Sequence, residues 1–105
     1  KNIKISDNIY LSADEEFVWP DLKNDFVSDS GFCYGLRDQV AILVNGTVTP
    51  CCLDSEGVIN LGNIFDNSFE SILQSERAKK LYDGFTKRLC SEELCKRCGY
   101  RKRFD

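Results

Sequence analysis

The sequence predicts a small α+β domain that consists of a β-hairpin, two helices and a C-terminal loop rich in cysteine. Three observations predict it. Two β-prone runs flank an Asn-Gly pair, two segments with helical apolar spacing follow, and the last third of the chain holds three of the six cysteines. A chain of 105 residues with 42% hydrophobic and 30% charged residues has the size and balance of one globular domain rather than of a disordered segment.

Residues 1–30 are predicted to be a linker or an N-terminal extension from a preceding domain, and residues 31–105 to be the compact domain. Ser12 and Glu15 have the spacing of a capping box, so a short helix is expected to follow and to end at Pro20. The segment has no cysteine. A short apolar alternation near its start favours a brief strand there: Ile3, Ile5, Ile9 and Leu11.

The predicted hairpin turns at Asn45-Gly46, because both central residues of a type I′ turn need a positive φ and these residue types adopt one readily. In such a two-residue loop Val44 faces Thr47. Neighbouring side chains of a strand point to opposite faces. Cys51 and Cys52, which follow in the second strand, are therefore expected to face opposite ways, so that only one of them can easily reach a given site.

Beyond the hairpin, the pattern predicts a third short strand over Gly57–Leu61 and then two helices. Asn67 with Glu70 three residues later is expected to start the first helix, and Ser75 to cap the second. The second helix carries an apolar stripe with the spacing of a helix face that belongs to a core. Its members are Ala78, Leu81, Tyr82 and Phe85.

The cysteines indicate a metal centre within this fold. Histidine is absent, which removes the commonest general base and every mixed Cys/His zinc site. Cys95 and Cys98 form a C-x2-C step whose two thiolates can chelate one centre. Cys51 and Cys52 are adjacent, which suits a ligand loop better than two separate disulfide bonds. Thiolate ligands favour an iron–sulfur cluster in a reducing, cytoplasmic setting, while a four-cysteine zinc module and a disulfide-bonded secreted domain stay open as alternatives.

Residues 32–104 resemble the C-terminal auxiliary-cluster domain of radical S-adenosylmethionine enzymes. This domain is called SPASM when it binds two clusters and twitch when it is shortened and binds one. The resemblance rests on Cys33, Gly46-Thr-Val-Thr-Pro-Cys51-Cys52-Leu-Asp54, Leu61-Gly62-Asn63-Ile64 and Cys95-x-x-Cys98-x-Tyr100. It implies that one auxiliary 4Fe–4S cluster is ligated by Cys33, Cys51, Cys95 and Cys98.

Two departures from the family pattern limit what the resemblance implies. The run C-x2-C-x5-C-x3-C of the two-cluster form is absent, and Cys52 and Cys90 are too few for a second cubane. A one-cluster, twitch-like domain is therefore expected, with Cys52 and Cys90 as a small buried side chain and a spare thiol. The radical motif C-x3-C-x2-C is also absent, so the chain is not expected to be catalytically competent alone.

The resemblance further implies an oxidoreductase in which the cluster relays electrons or positions the substrate. S-adenosylmethionine would bind only in the missing catalytic barrel that precedes this domain. The expected partners are that barrel, an electron carrier and a peptide or protein substrate, but no membrane. Zinc is expected as a substitute in an isolated fragment. A basic group near the C-terminus is expected to be a solvated face that tunes the cluster or contacts the barrel, since no interleaved aromatic platform supports nucleic-acid binding: Lys96, Arg97, Arg101, Lys102 and Arg103.

Overall fold

In the computed structural model, which describes residues 2–104, two small antiparallel sheets precede three α-helices and a C-terminal 3-10 helix. The prediction of a small α+β fold is confirmed. The strands are β1 (Asn2–Ser6), β2 (Ile9–Ser12), β3 (Ala41–Ile42), β4 (Thr47–Thr49) and β5 (Gly62–Asn63). The helices are α1 (Phe69–Leu73), α2 (Glu76–Thr86), α3 (Glu93–Lys96) and the 3-10 helix Tyr100–Phe104.

The N-terminal segment begins with an exposed hairpin. β1 pairs with β2 so that Ile3 lies opposite Leu11, and every residue of both strands is exposed. The prediction of a helix after Ser12 is wrong, because residues 13–21 form no regular element. Pro20 disfavours helical backbone in the residue before it, and the few residues left are too short to nucleate a helix alone.

The second hairpin is present, but its register differs by one residue from the predicted one. Ile42 pairs with Val48, and Gly46 donates its N–H to the carbonyl of Leu43 at 2.8 Å. Only Gly46 of the Asn-Gly pair has a positive φ, at +90°. The loop is therefore a three-residue turn that ends in a left-handed glycine. An Asn-Gly pair is compatible both with this turn and with the predicted type I′ turn. β4 ends at Thr49, so Cys51 and Cys52 lie beyond the strand and its alternation does not orient them.

The third strand lies later in the chain than predicted. β5 pairs with β4 through Gly62 opposite Val48, whereas the predicted segment Gly57–Leu61 is irregular. That segment turns because the carboxylate of Asp54 accepts hydrogen bonds from the N–H groups of Val58 and Ile59 at 2.9 and 2.7 Å. These bonds occupy the donors that a strand would have used.

The helices begin close to their predicted caps and supply most of the core. Ser75 caps α2 as predicted, with its hydroxyl accepting from Ala78 N–H at 3.3 Å, whereas Ser68 rather than Asn67 caps α1. Tyr82 departs from the predicted stripe, since 39% of its surface is exposed. The core is one cluster of side chains from β4, the 59–61 segment, the helices and the C-terminal loop: Val48, Ile59, Leu61, Ile72, Ala78, Leu81, Phe85, Cys90 and Leu94. Among the described helices, none has both the length and the apolar character needed to cross a bilayer.

Candidate metal centre

A cavity of about 230 Å³ lies between the loop before β3, the turn after β4 and the C-terminal helices. The four cysteines predicted as ligands all line it, and so does Cys52. The rest of its wall is mainly apolar, with Ile59, Phe85 and Leu94 contributed by the core. The fold thus brings together cysteines that are up to 65 residues apart in sequence: Cys33, Cys51, Cys95 and Cys98.

Cys33 reaches the cavity because its loop lies directly against the end of β4. Leu36 donates its N–H to the carbonyl of Pro50 at 2.9 Å. A Cβ at Gly35 would lie only 3.3 Å from that same oxygen, so glycine permits the close approach. The N–H of Gly35 also points at the Cys33 sulfur, with a nitrogen–sulfur distance of 3.4 Å. The local sequence therefore places the Cys33 thiol beside the Cys51 turn.

Cys51 is held by the turn that follows β4. Asp54 donates its N–H to the Cys51 carbonyl at 3.3 Å, and the Thr49 hydroxyl donates to the same carbonyl at 3.1 Å. The main-chain N–H groups of Leu53 and Asp54 also act to lower the pKa of the Cys51 thiol. Asp54 is 2% exposed and fixes the next residues through its carboxylate. The hydrogen bonds of Thr49 and Asp54 thus fix the turn that carries Cys51 at the cavity.

The C-terminal C-x2-C step is positioned by α3 and by anchors on both sides of it. Leu94 is buried in the core, and Glu92 forms an ion pair with Arg77 of α2 in which both carboxylate oxygens accept at 2.8 Å. Cys95 lies inside α3, and Cys98 lies just beyond its end with its N–H donated to the Cys95 carbonyl at 3.3 Å. This tight turn directs both thiols towards the same cavity.

Burial dominates the acid–base chemistry of these thiols. It raises the pKa of Cys51 from an ordinary 9.0 to about 11, although the N–H groups of Leu53 and Asp54 oppose the shift. Burial also raises the pKa of Cys33 and, more strongly, that of Cys95, where neighbouring cysteines add to the effect. The thiols of Cys33, Cys51 and Cys95 are therefore protonated at neutral pH in the metal-free protein, and binding of a metal centre through them must release those protons.

The two remaining cysteines occupy different surroundings. Cys52 is exposed at the cavity wall, whereas Cys90 is 6% exposed, belongs to the hydrophobic core and does not line the cavity. All six cysteines lie within the described residues and all are free thiols. The disulfide-bonded alternative gains no support from this arrangement.

The residues around the cavity fit an iron–sulfur cluster. The four cysteines predicted as ligands line it, and thiolates are the ligands that hold such clusters. The cavity between the thiols, at about 230 Å³, is more than ten times the ~10–15 Å³ that admits one water molecule. Thiolates around an apolar cavity are therefore suited to an iron–sulfur centre.

Two polar residues of the site were missed by sequence reasoning. Arg101, expected on a solvated face, is 2% exposed and lines the cavity. Asp54 organises the turn that carries Cys51. The sequence did offer a signal for a turn here, because Asp54 is followed three residues later by Gly57, and both residue types are common in turns. No comparable signal marks Arg101, because it lies within a run of cations that are otherwise at least partly exposed.

Comparison with known protein families agrees with this geometry. The family model of SPASM, an iron–sulfur cluster-binding domain, matches residues 33–99. Those residues begin at Cys33 and end just after Cys98, so the matched region contains all of the predicted ligands. No curated protein and no solved structure gives a significant match to the chain.

Proposed function

Because the chain belongs to the SPASM family of iron–sulfur cluster-binding domains, we propose that it is the one-cluster, twitch-like auxiliary domain of a radical S-adenosylmethionine oxidoreductase. The observation that carries the proposal is the single cavity lined by Cys33, Cys51, Cys95 and Cys98. These four thiolates match the ligand requirement of one 4Fe–4S cluster. Once these four cysteines ligate one cluster, Cys52 is the one other cysteine among residues 2–104 that lines the cavity. A single thiol is too few for a second cluster, which supports one cluster rather than two.

The proposed role of the cluster is to relay electrons. When bound, a cluster of this kind supplies one-electron redox chemistry. Ligation by four thiolates leaves no iron position open for a substrate, which favours electron transfer over direct substrate binding. The chain itself would exclude water with Ile59, Phe85 and Leu94. The N–H donors at Cys33 and Cys51 would stabilise the negative charge on those sulfurs.

The proposed partner is a preceding radical S-adenosylmethionine barrel, and the N-terminal segment supports it. Ile3 and Leu11 lie opposite each other on one face of the β1–β2 hairpin, and both are exposed, as are its other large apolar residues Ile5, Ile9 and Tyr10. Trp19 and Phe26 are each 54% exposed in the segment that follows. A two-stranded hairpin is marginal in water by itself, so a neighbouring domain that covers this face accounts for it.

The remaining parts of the proposal follow from that domain context. The barrel would bind S-adenosylmethionine and start the radical reaction, and an electron carrier would exchange electrons with the auxiliary cluster. A peptide or protein is the proposed substrate class. Free thiols throughout the chain are consistent with a reducing, cytoplasmic setting.

Serine substitution of each cysteine tests the proposed ligand set. Anaerobically reconstituted Cys33→Ser, Cys51→Ser, Cys95→Ser and Cys98→Ser variants should each lose most of their iron. Cys52→Ser is the matched control at the cavity wall, and Cys90→Ser is the control for a buried thiol in the core; both should retain most of it. Iron per chain and the visible absorption of the cluster are the measurements. Equal losses from Cys51→Ser and Cys52→Ser would contradict the assignment.

A further inference from the structure

Arg101 is the one residue in the C-terminal basic group whose side chain is fully buried, within the part of the chain that the structure describes. It lies in the 3-10 helix, three residues after Cys98, and lines the cavity. Burial of a cation is unfavourable unless other interactions offset the loss of its hydration. A buried arginine at the wall of a cysteine cavity therefore calls for a specific role.

The guanidinium group of Arg101 joins the two sides of the site. Its Nε donates to the Cys95 carbonyl at 3.1 Å, Nη1 to the Ser30 carbonyl at 2.8 Å, and Nη2 to the Ser28 carbonyl at 2.9 Å. All three nitrogens thus hold main-chain oxygens of two segments that are distant in sequence. The rigid fork of the guanidinium group therefore ties the end of α3 that carries Cys95 to the Ser28–Ser30 segment.

We propose that Arg101 sets the reduction potential of the cluster in addition to positioning the end of α3 that carries Cys95. The inference rests on the proposed function, because it requires a cluster in the cavity. Reduction adds one electron and no atom, so the reduced cluster carries one more negative charge than the oxidised one. A fixed cation in a poorly solvated wall stabilises the more negative form, which raises the potential.

Arg103 provides a matched comparison for Arg101 within the same segment. Arg103 is two residues away in the same 3-10 helix, but it forms an ion pair with the exposed Asp14 and lies over the ring of Tyr100. It does not line the cysteine cavity. Substitution of Arg103 removes the same charge from the chain at a solvated position, where screening weakens its effect on the cluster.

The test is an anaerobic redox titration of the reconstituted protein with a low-potential reductant, followed by the electron-spin signal of the reduced cluster. Arg101→Gln should lower the ratio of reduced to oxidised cluster at least tenfold at a given potential, which corresponds to a shift of ~59 mV for one electron. Arg101→Lys keeps the charge and should change the ratio less than threefold. Arg103→Gln should match the wild type.

Each outcome of this titration decides the proposal. An unchanged potential in Arg101→Gln with full iron content would overturn it, and so would equal shifts in Arg101→Gln and Arg101→Lys, which would indicate a structural effect alone. If Arg101→Gln fails to hold iron, the lysine variant decides, because a tenfold change there would contradict a role for the charge. A wild-type protein that takes up no iron would instead refute the proposed function.

Discussion

Asp54 offers the sharpest test of how the Cys51 side of the site is built. Its carboxylate is 2% exposed and accepts from the N–H groups of Val58 and Ile59 at 2.9 and 2.7 Å. Hydrogen bonds to a charged acceptor contribute ~1.5–3 kcal/mol each. Asp54→Ala removes both bonds, so the free energy of unfolding should fall by ~3–6 kcal/mol. Domains of this kind have a total stability of only ~5–15 kcal/mol.

Asp54→Ala should also disturb the metal site. Ile59 is 1% exposed and lines the cavity, so a loosened loop would disturb the cavity wall. Asp54→Asn keeps one acceptor oxygen at nearly the same place and should cost about half as much, ~1.5–3 kcal/mol. Glu56→Ala is the matched control, since Glu56 is an exposed acid in the same loop.

The assay is urea unfolding of the cluster-loaded protein under anaerobic conditions. Asp54→Ala should lower the midpoint with little change in the slope, because a similar surface is exposed on unfolding. Its iron content should also fall below that of the Glu56→Ala control. If Asp54→Ala and Glu56→Ala unfold within ~0.5 kcal/mol of each other, a range typical of surface substitutions, the carboxylate does not hold this loop.

Two further predictions concern the metal and pH. Removal of the metal with a chelator should raise the rate of amide hydrogen exchange in residues 93–104 before it does so in α2. The free energy of metal binding contributes to folding, and the C-terminal loop has few apolar anchors of its own. Unchanged exchange in residues 93–104 would contradict this prediction. In the metal-free protein, Cys51 has its pKa raised from 9.0 to about 11, so the folded state keeps a proton that the unfolded state loses. The contribution of Cys51 to stability should therefore fall by ~2–3 kcal/mol as the pH rises through this interval. Urea unfolding at several pH values checks it, and Cys51→Ser should reduce the decrease in stability by this amount.

The elements that are determined by residues close together in the sequence were predictable. Ser75 and the spacing of Ala78, Leu81 and Phe85 predicted the cap and the buried face of α2, because a helix repeats its contacts over a few residues. The Asn-Gly pair predicted a hairpin but not its register. Two turn types accept that pair and differ by one residue in loop length, and the choice depends on how β4 packs between its neighbours.

The features that depend on distant contacts were not predictable. The capping pattern at Ser12 is present in the sequence, yet no helix formed, because the segment before Pro20 is too short to nucleate one. This segment instead contacts the C-terminal 3-10 helix, where Phe17 packs on Tyr100 with 4.6 Å between the ring centroids. Arg101 looks like any other surface cation, and its burial follows from carbonyls of Ser28 and Ser30 that lie some 70 residues earlier in the chain. Such acceptors leave no trace in the local sequence.

The most direct test of the central claim is the iron and acid-labile sulfide content of the protein reconstituted without oxygen. Ligation by Cys33, Cys51, Cys95 and Cys98 predicts about four irons and four sulfides per chain, the content of one 4Fe–4S cluster, with an electron-spin signal that appears on reduction. Zinc is expected only in protein handled in air, when the cluster has been lost. One tightly bound zinc ion per chain after both preparations, without iron uptake, would contradict the account.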